Sequence, residues 1–203
     1  RRAPYFIFKR ERERNMGELT HIERARRVKA VALDGDGVFF SGRVLIDPVK
    51  GEVLKERSHI DGQGISFLRA AGVRIALVSG EKTGFIEIVG EKLNALPSVK
   101  EGKWPPIAIF TGPQGKDKIT SVDTWLKEAN LSWEECAYMG DDFSDYQILQ
   151  KVGLATAPAQ AEEDIKKIAH WIAPRKGGDG AIRDLANLIL EAKGIDTTKL
   201  SLR

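Results

Sequence analysis

Three short apolar runs in this chain each stop at a polar, glycine-bearing junction, and that repeated ending narrows the folds open to it. Residues 28–33 give way to Asp34-Gly35-Asp36-Gly37, residues 73–78 to Ser79-Gly80-Glu81, and residues 136–139 to Gly140-Asp141-Asp142. Apolar runs of this length bounded by turn residues suit strands buried on both faces. Helical stretches alternate with them, the mark of a mainly parallel sheet covered by helices, an α/β class. In open sheets of that kind, ligands bind at the carboxyl ends of the strands. The acids, the serine and the glycines therefore stand where such a fold does its chemistry.

Asp34 and Asp36 leave the first run together in a glycine-loosened turn, and such a pair can hold a hard cation while keeping an oxygen free. A calcium loop of the EF-hand kind would need further oxygen ligands after Gly37, but Val38-Phe39-Phe40 follow. A plain tight turn is the competing reading, because Asp and Gly favour turns for local reasons. Later segments weigh against it. A hydroxyl and free N–H groups at Ser79-Gly80 can hold phosphoryl oxygens. Gly115-Lys116-Asp117-Lys118 opens a helix marked by Val122, Trp125 and Leu126, and supplies a compact positive charge. The third junction brings Asp141, Asp142 and, farther on, Asp145.

The pattern predicts strands over residues 28–33, 73–78, 107–110, 136–139, 153–156 and 170–173. It predicts helices over 62–71, 83–94, 116–129, 145–152, 161–168 and 179–192. Segments 43–46 and 52–57 flank Pro48 and Gly51 and read as the arms of a hairpin. With 203 residues, 42% hydrophobic and 30% charged, the chain is sized for one compact domain with a real core. No apolar run reaches the roughly 18 residues of a membrane-spanning helix, so no membrane partner is expected. The single cysteine, Cys136, lies in an apolar strand and fits a reducing, cytoplasmic home. The net charge of +3 owes much to Lys9-Arg10-Glu11-Arg12-Glu13-Arg14, where interleaved acids cancel much of the field. That run reads as a solvated helix or tail, and nucleic-acid binding is not expected.

Taken in order, Asp34-Gly35-Asp36-Gly37, Ser79-Gly80, Lys118 and Gly140-Asp141-Asp142 with Asp145 resemble the four motifs of the haloacid dehalogenase superfamily of aspartate-nucleophile phosphatases. The resemblance implies a Rossmann-like three-layer fold. It implies that Asp34 attacks phosphorus, that Asp36 serves as acid and then base, and that Lys118 completes the catalytic set. Mg²⁺ is the implied cofactor, held by Asp34, the Asp36 backbone carbonyl and Asp141, with Asp142 and Asp145 orienting its waters. Ser79, Gly80 and Lys118 are the implied phosphate-binding residues.

The stretch from Asp34 to Ser79 is used up by the hairpin and one helix, and Ser79 to Lys118 holds one helix and one strand. Neither leaves room for a cap domain of the usual ~100 residues. Capless relatives need another shield from water, which oligomerisation provides. The closest resemblance is to the capless sugar-acid phosphatases that act on eight-carbon 3-deoxy-manno-octulosonate 8-phosphate and its nine-carbon 9-phosphate analogues. It covers Leu19 to Leu190 and includes Asp61-Gly62, Val152-Gly153-Leu154 and Gly177-Gly178-Asp179-Gly180. It implies a homotetramer whose hairpins meet, a β-hairpin flap and a small-molecule sugar-acid phosphate as substrate. Glu81, Asp61, Lys92 and Gly178 are the implied substrate-binding residues. Eight-carbon members usually read Thr-Gly-Arg at the second motif, whereas Ser79-Gly80-Glu81-Lys82-Thr83 resembles the nine-carbon members. The domain expected is residues 19–203, preceded by an N-terminal extension over 1–18, native or artificial. A broader sugar or nucleotide phosphatase of the same fold, and a non-catalytic oligomerising domain linked to a cytidylyltransferase pathway, are the alternatives.

Overall fold

The computed structural model describes residues 19–200, and the extension expected over 1–18 lies outside the described residues. The first described element is helix α1 (His21–Arg27), opened by a reciprocal cap in which the Thr20 hydroxyl accepts from Glu23 N and Glu23 Oε2 accepts from Thr20 N at 2.8 Å. Val28 N–H donates to Ala25 O and closes this helix. Strand β1 (Ala30–Asp34) therefore begins two residues later than the apolar pattern predicts. Val28 is buried by a helix end and not by the ladder.

A hairpin of β2 (Val44–Asp47) and β3 (Gly51–Lys55) follows. Its turn is fixed by Asp47 Oδ1, which accepts from Val49 N at 2.9 Å and Lys50 N at 2.8 Å. Then come α2 (His59–Ala70), β4 (Arg74–Ser79), α3 (Phe85–Asn94), α4 (Pro97–Lys100) and β5 (Ile107–Thr111). The second half holds α5 (Lys116–Glu128), β6 (Cys136–Met139), α6 (Tyr146–Leu149), β7 (Leu154–Ala157), α7 (Glu163–Ile168), β8 (Trp171–Ile172) and α8 (Ala181–Ala192). Six strands form one parallel sheet in the order β5-β4-β1-β6-β7-β8, so Asp34 lies at the end of a central strand between β4 and β6. The connection from β1 to α2 carries only the hairpin, and that from β4 to β5 only two helices, so no cap domain is inserted at either place.

Alternation along the strands builds the two buried layers. Val31 and Leu33, Ile75 and Leu77, and Ala137 and Met139 pack on one face against Ala25 of α1, Ile65 and Leu68 of α2, and Leu185 and Ile189 of α8. Ala30 and Ala32, Ala76 and Val78, and Cys136 and Tyr138 pack on the other against Val122 and Trp125 of α5, Ile148 of α6 and Ile165 of α7. Each fully buried Leu or Ile contributes about 1.5–3 kcal/mol from burial. This three-layer core anchors every strand end that reaches the site.

Element ends depart from the sequence pattern where backbone chemistry intervenes. Ser58 Oγ accepts from Ile60 N at 3.2 Å and starts α2 earlier than predicted. Gly84 at φ 84° and Gly180 at φ 110° delay the starts of α3 and α8, since these left-handed residues stand outside the helices. The helix predicted over 145–152 is reduced to α6, because the Asp142 carboxylate caps a 3₁₀ turn, Phe143–Asp145, ahead of it. The short α4 was not anticipated. Pro97 sets its first turn.

Candidate active site

The carboxyl ends of β1, β4 and β6 converge with the first turn of α5. Lys118 points back from that turn, its side chain 2% exposed, and donates to Asp34 Oδ1 at 2.5 Å, Asp145 Oδ1 at 2.8 Å and Ser144 Oγ at 3.0 Å. Asp145 is fully buried and also accepts from Tyr138 OH at 2.7 Å and, through Oδ2, from Asp141 N at 3.0 Å. Burial would pull the Lys118 ammonium down, but Asp34 and Asp145 reverse this and hold its pKa above the usual lysine value. Burial first, and Asp145 second, raise the Asp34 carboxyl well above its ordinary range. Burial, Asp145 and Asp142 push Asp141 to about 7.

This floor holds more negative than positive charge. One oxygen each from Asp34, Asp141 and Asp145 lies within 4.8 Å of the others, and Asp141 Oδ1 is buried with no hydrogen-bond donor. An all-oxygen cluster with an orphaned carboxylate oxygen fits a hard divalent cation. Asp145 is already committed to three donors, so Asp34 and Asp141 are the better side-chain ligands. Space is tight: a Cβ on Gly37 would fall 2.0 Å from Asp141 Oδ2, and one on Gly35 would fall 2.9 Å from Ser79 Oγ. Gly35 and Gly37 are needed for the acids and the serine to come this close.

On the β4 side, Ser79 is buried and its Oγ accepts from Glu81 N at 3.2 Å, while Gly80 lies against Gln114. Asp36 turns toward the hairpin, where Lys55 Nζ reaches Asp36 Oδ1 at 2.8 Å, Asp36 Oδ2 at 2.9 Å and Glu81 Oε2 at 2.5 Å. On the β6 side, Gln160 Nε2 donates to Gly37 O at 2.6 Å and Gln160 Oε1 accepts from Gly177 N at 2.8 Å. Gly178 N donates to Val38 O at 2.8 Å. The loop before α8 thus braces the Asp34–Phe40 turn of its own chain. Beside it is a cavity of about 490 Å³ lined by Ser41, Arg43, Glu56, Gln160, Lys176 and Gly178, among others.

A family model described as haloacid dehalogenase-like hydrolase matches residues 85–184. The 3-deoxy-D-manno-octulosonate 8-phosphate phosphatase of Yersinia pestis is 30% identical over 172 residues, covering 85% of this chain and 84% of that protein. The chain belongs to the haloacid dehalogenase-like hydrolases. Among solved structures, a probable YrbI family phosphatase from Pseudomonas syringae superposes with a TM-score of 0.75 at 34% identity, covering 86% of this chain and 91% of that one. The cobalt-bound deoxy-D-mannose-octulosonate 8-phosphate phosphatase of Haemophilus influenzae gives 0.74 at 28% identity, covering 84% and 92%. The protein is accordingly a phosphatase, and the acidic cluster fits the divalent metal that such enzymes use.

The fold of this phosphatase brings Asp34, Asp36, Ser79, Gly80, Lys118, Asp141 and Asp145 to one sheet edge, with Glu81 at its rim. Four residues expected at the site stand elsewhere or spend their polar groups on the fold. Asp61 is 1% exposed, and both its oxygens are taken by the start of α8, Oδ2 by Gly180 N at 2.9 Å and Oδ1 by Arg183 N at 3.0 Å. It caps that helix. Lys92 is exposed near the far end of α3, where Asn94 Oδ1 accepts from Ile107 N at 2.7 Å at the opposite edge of the sheet. Asp142 is exposed and accepts from Ser144 N at 2.8 Å, so it shapes the turn that delivers Asp145. Gly178 spends its N–H on Val38 and offers the adjoining cavity only backbone. Lys55, Tyr138 and Gln160 are site residues that sequence reasoning missed. Tyr138 was hidden in an apolar strand, and for Lys55 and Gln160 no motif in the sequence marks them.

Proposed function

We propose that this phosphatase hydrolyses the phosphate monoester of a 3-deoxy-2-ulosonic acid of eight or nine carbons, with Mg²⁺, through an aspartyl phosphate on Asp34. The carrying observation is the Asp34 carboxylate held by Lys118 at a buried strand end, with Asp36 turned to the hairpin side of the same loop. The similarity to named octulosonate phosphatases supports the substrate class.

An Asp34 oxygen attacks phosphorus, and the leaving alkoxide takes a proton from Asp36. Water then attacks the acyl phosphate, gives its proton to Asp36 and releases inorganic phosphate, returning Asp34 to a carboxylate. Ser79 and Lys118 bind the equatorial oxygens over which charge spreads. Asp34, the Asp36 backbone carbonyl and Asp141 would hold Mg²⁺, which offsets the negative charge of the phosphoryl group and the acids. Glu81, at the rim beyond Ser79, accepts hydrogen bonds from sugar hydroxyls and favours a nine-carbon substrate.

The hairpin exposes Leu45, Ile46, Val49 and Leu54, at 62%, 70%, 91% and 59%. That apolar surface supports a homotetramer in which the hairpins meet and shelter the sites. The buried free thiol of Cys136 supports a reducing cytoplasmic setting. The test is phosphate release with Mg²⁺ across eight- and nine-carbon ulosonate phosphates, other sugar phosphates and nucleotides. Preference for an ulosonate ester upholds the reading, and flat rates across unrelated esters replace it with a housekeeping phosphatase. Full turnover in excess chelator removes the metal.

A further inference from the structure

The hairpin carries one cation into the site. The Lys55 side chain is 2% exposed, and its ammonium lies 5.9 Å from the centre of the Phe40 ring and 5.6 Å from that of Phe85. It contacts both oxygens of Asp36, one oxygen of Glu81 and, at 3.6 Å, Glu52. Glu52 lies on the same strand as Lys55, and Glu81 follows β4. Without the ammonium, three carboxylates would face one another across the mouth of the site.

An ammonium has three donors and no acceptor. It can therefore engage the bare carbonyl oxygen of a carboxylic acid but not its O–H. Lys55 holds both oxygens of the Asp36 carboxylate; when Asp36 carries a proton, the ammonium keeps only the bare oxygen and leaves the O–H free for the leaving oxygen. When Asp36 is ionised, the same contact keeps the carboxylate from swinging off under repulsion from Glu81 and Glu52. We propose that Lys55 is a positioning residue for the catalytic acid, orienting Asp36 through the hairpin toward the leaving group. The inference rests on the reading of Asp36 as that acid. It also means that the hairpin sets the aim of the chemistry as well as covering it.

The test uses the dependence of rate on leaving group, since a positioned acid matters for an alkoxide and little for a phenolate that departs unaided. The full-length protein with Mg²⁺, as wild type and Lys55→Met, is assayed on p-nitrophenyl phosphate and on the best primary alkyl phosphate in a panel. The variant is expected to lose at least about tenfold more kcat on the alkyl ester than on the aryl ester. Adding Lys55→Met to Asp36→Asn is expected to cost less than about threefold further on the alkyl ester, because a residue acting through Asp36 has nothing left to orient. Equal losses on the two esters, or full additivity with Asp36→Asn, would overturn the assignment and leave Lys55 as a structural clamp. A wild type that ignores ulosonate phosphates would sink the substrate reading alone, since any alkyl ester it hydrolyses supplies the ratio.

Discussion

Lys118 joins two carboxylates and Lys55 three, yet one lysine belongs to the floor of the site and the other to its hairpin wall. Lys118 ties Asp34 to Asp145 among strand ends whose side chains are buried in the three-layer core. Lys55 ties Asp36 to Glu81 from a two-stranded ribbon that leaves most of its apolar side chains in solvent. The floor is preorganised by packing, which costs nothing at the moment of reaction. The wall is held mainly by charge, through the contacts of Lys55 with Asp36, Glu81 and Glu52. On the proposed mechanism, bond making at phosphorus falls to the packed floor, and the proposed substrate choice and assembly fall to the hairpin wall.

The largest effects are expected on the floor. Asp34→Asn is expected to bring turnover below detection while leaving the circular dichroism spectrum and melting temperature close to wild type. Asp36→Asn, at the boundary of the two regions, is expected to reduce kcat by about 10²–10⁴-fold. If hairpin substitutions cost as much as Asp34→Asn, the division between packed floor and hairpin wall fails.

Asp61 sharpens the contrast from a third direction, because it is buried and both its oxygens accept from the start of a helix. Asp61→Ala strips two backbone N–H groups at the start of α8 of their acceptor. A loss of roughly 2–3 kcal/mol in urea unfolding is expected. A variant of unchanged stability would show that solvent or another group takes over the cap.

At the rim, Glu81→Arg is expected to shift the kcat/KM ratio from nine-carbon toward eight-carbon ulosonate phosphates by roughly threefold to tenfold, since a hydrogen bond at an exposed carboxylate is worth about 0.5–1.5 kcal/mol net. An unchanged ratio would demote Glu81 to a tether for Lys55. The smallest effect on folding belongs to the hairpin tip. The pair Leu45→Ser and Ile46→Ser is expected to change unfolding stability at high dilution by no more than ~0.5 kcal/mol, while light scattering shows the proposed tetramer dissociating. A tetramer that survived the pair would place the assembly surface elsewhere.

The same division explains what the sequence disclosed. Asp34, Ser79 and Asp141 follow apolar strands, and a strand that reaches the carboxyl edge of a parallel sheet delivers its next residue to the site whatever the details. Asp61 and Lys92 lie in helices, where sequence position alone does not say which end or face meets a ligand. Asp61 turned inward to cap α8, and Lys92 fell at the opposite edge of the sheet. Lys55 was beyond reach because its approach to Asp36 depends on how a short ribbon folds back over the Asp34–Phe40 turn, and no periodic pattern encodes that. Helix starts drifted for a local reason, since Gly84 and Gly180 in left-handed conformations delay the first turn.

The covalent role of Asp34 is the centre of the account, and acid quenching during steady turnover with Mg²⁺ tests it most directly. Peptide mass spectrometry of the quenched enzyme is expected to find a phosphoryl adduct on Asp34 in the wild type and none in Asp34→Asn. No adduct in an actively turning-over wild type, together with phosphate release surviving in Asp34→Asn, would contradict it.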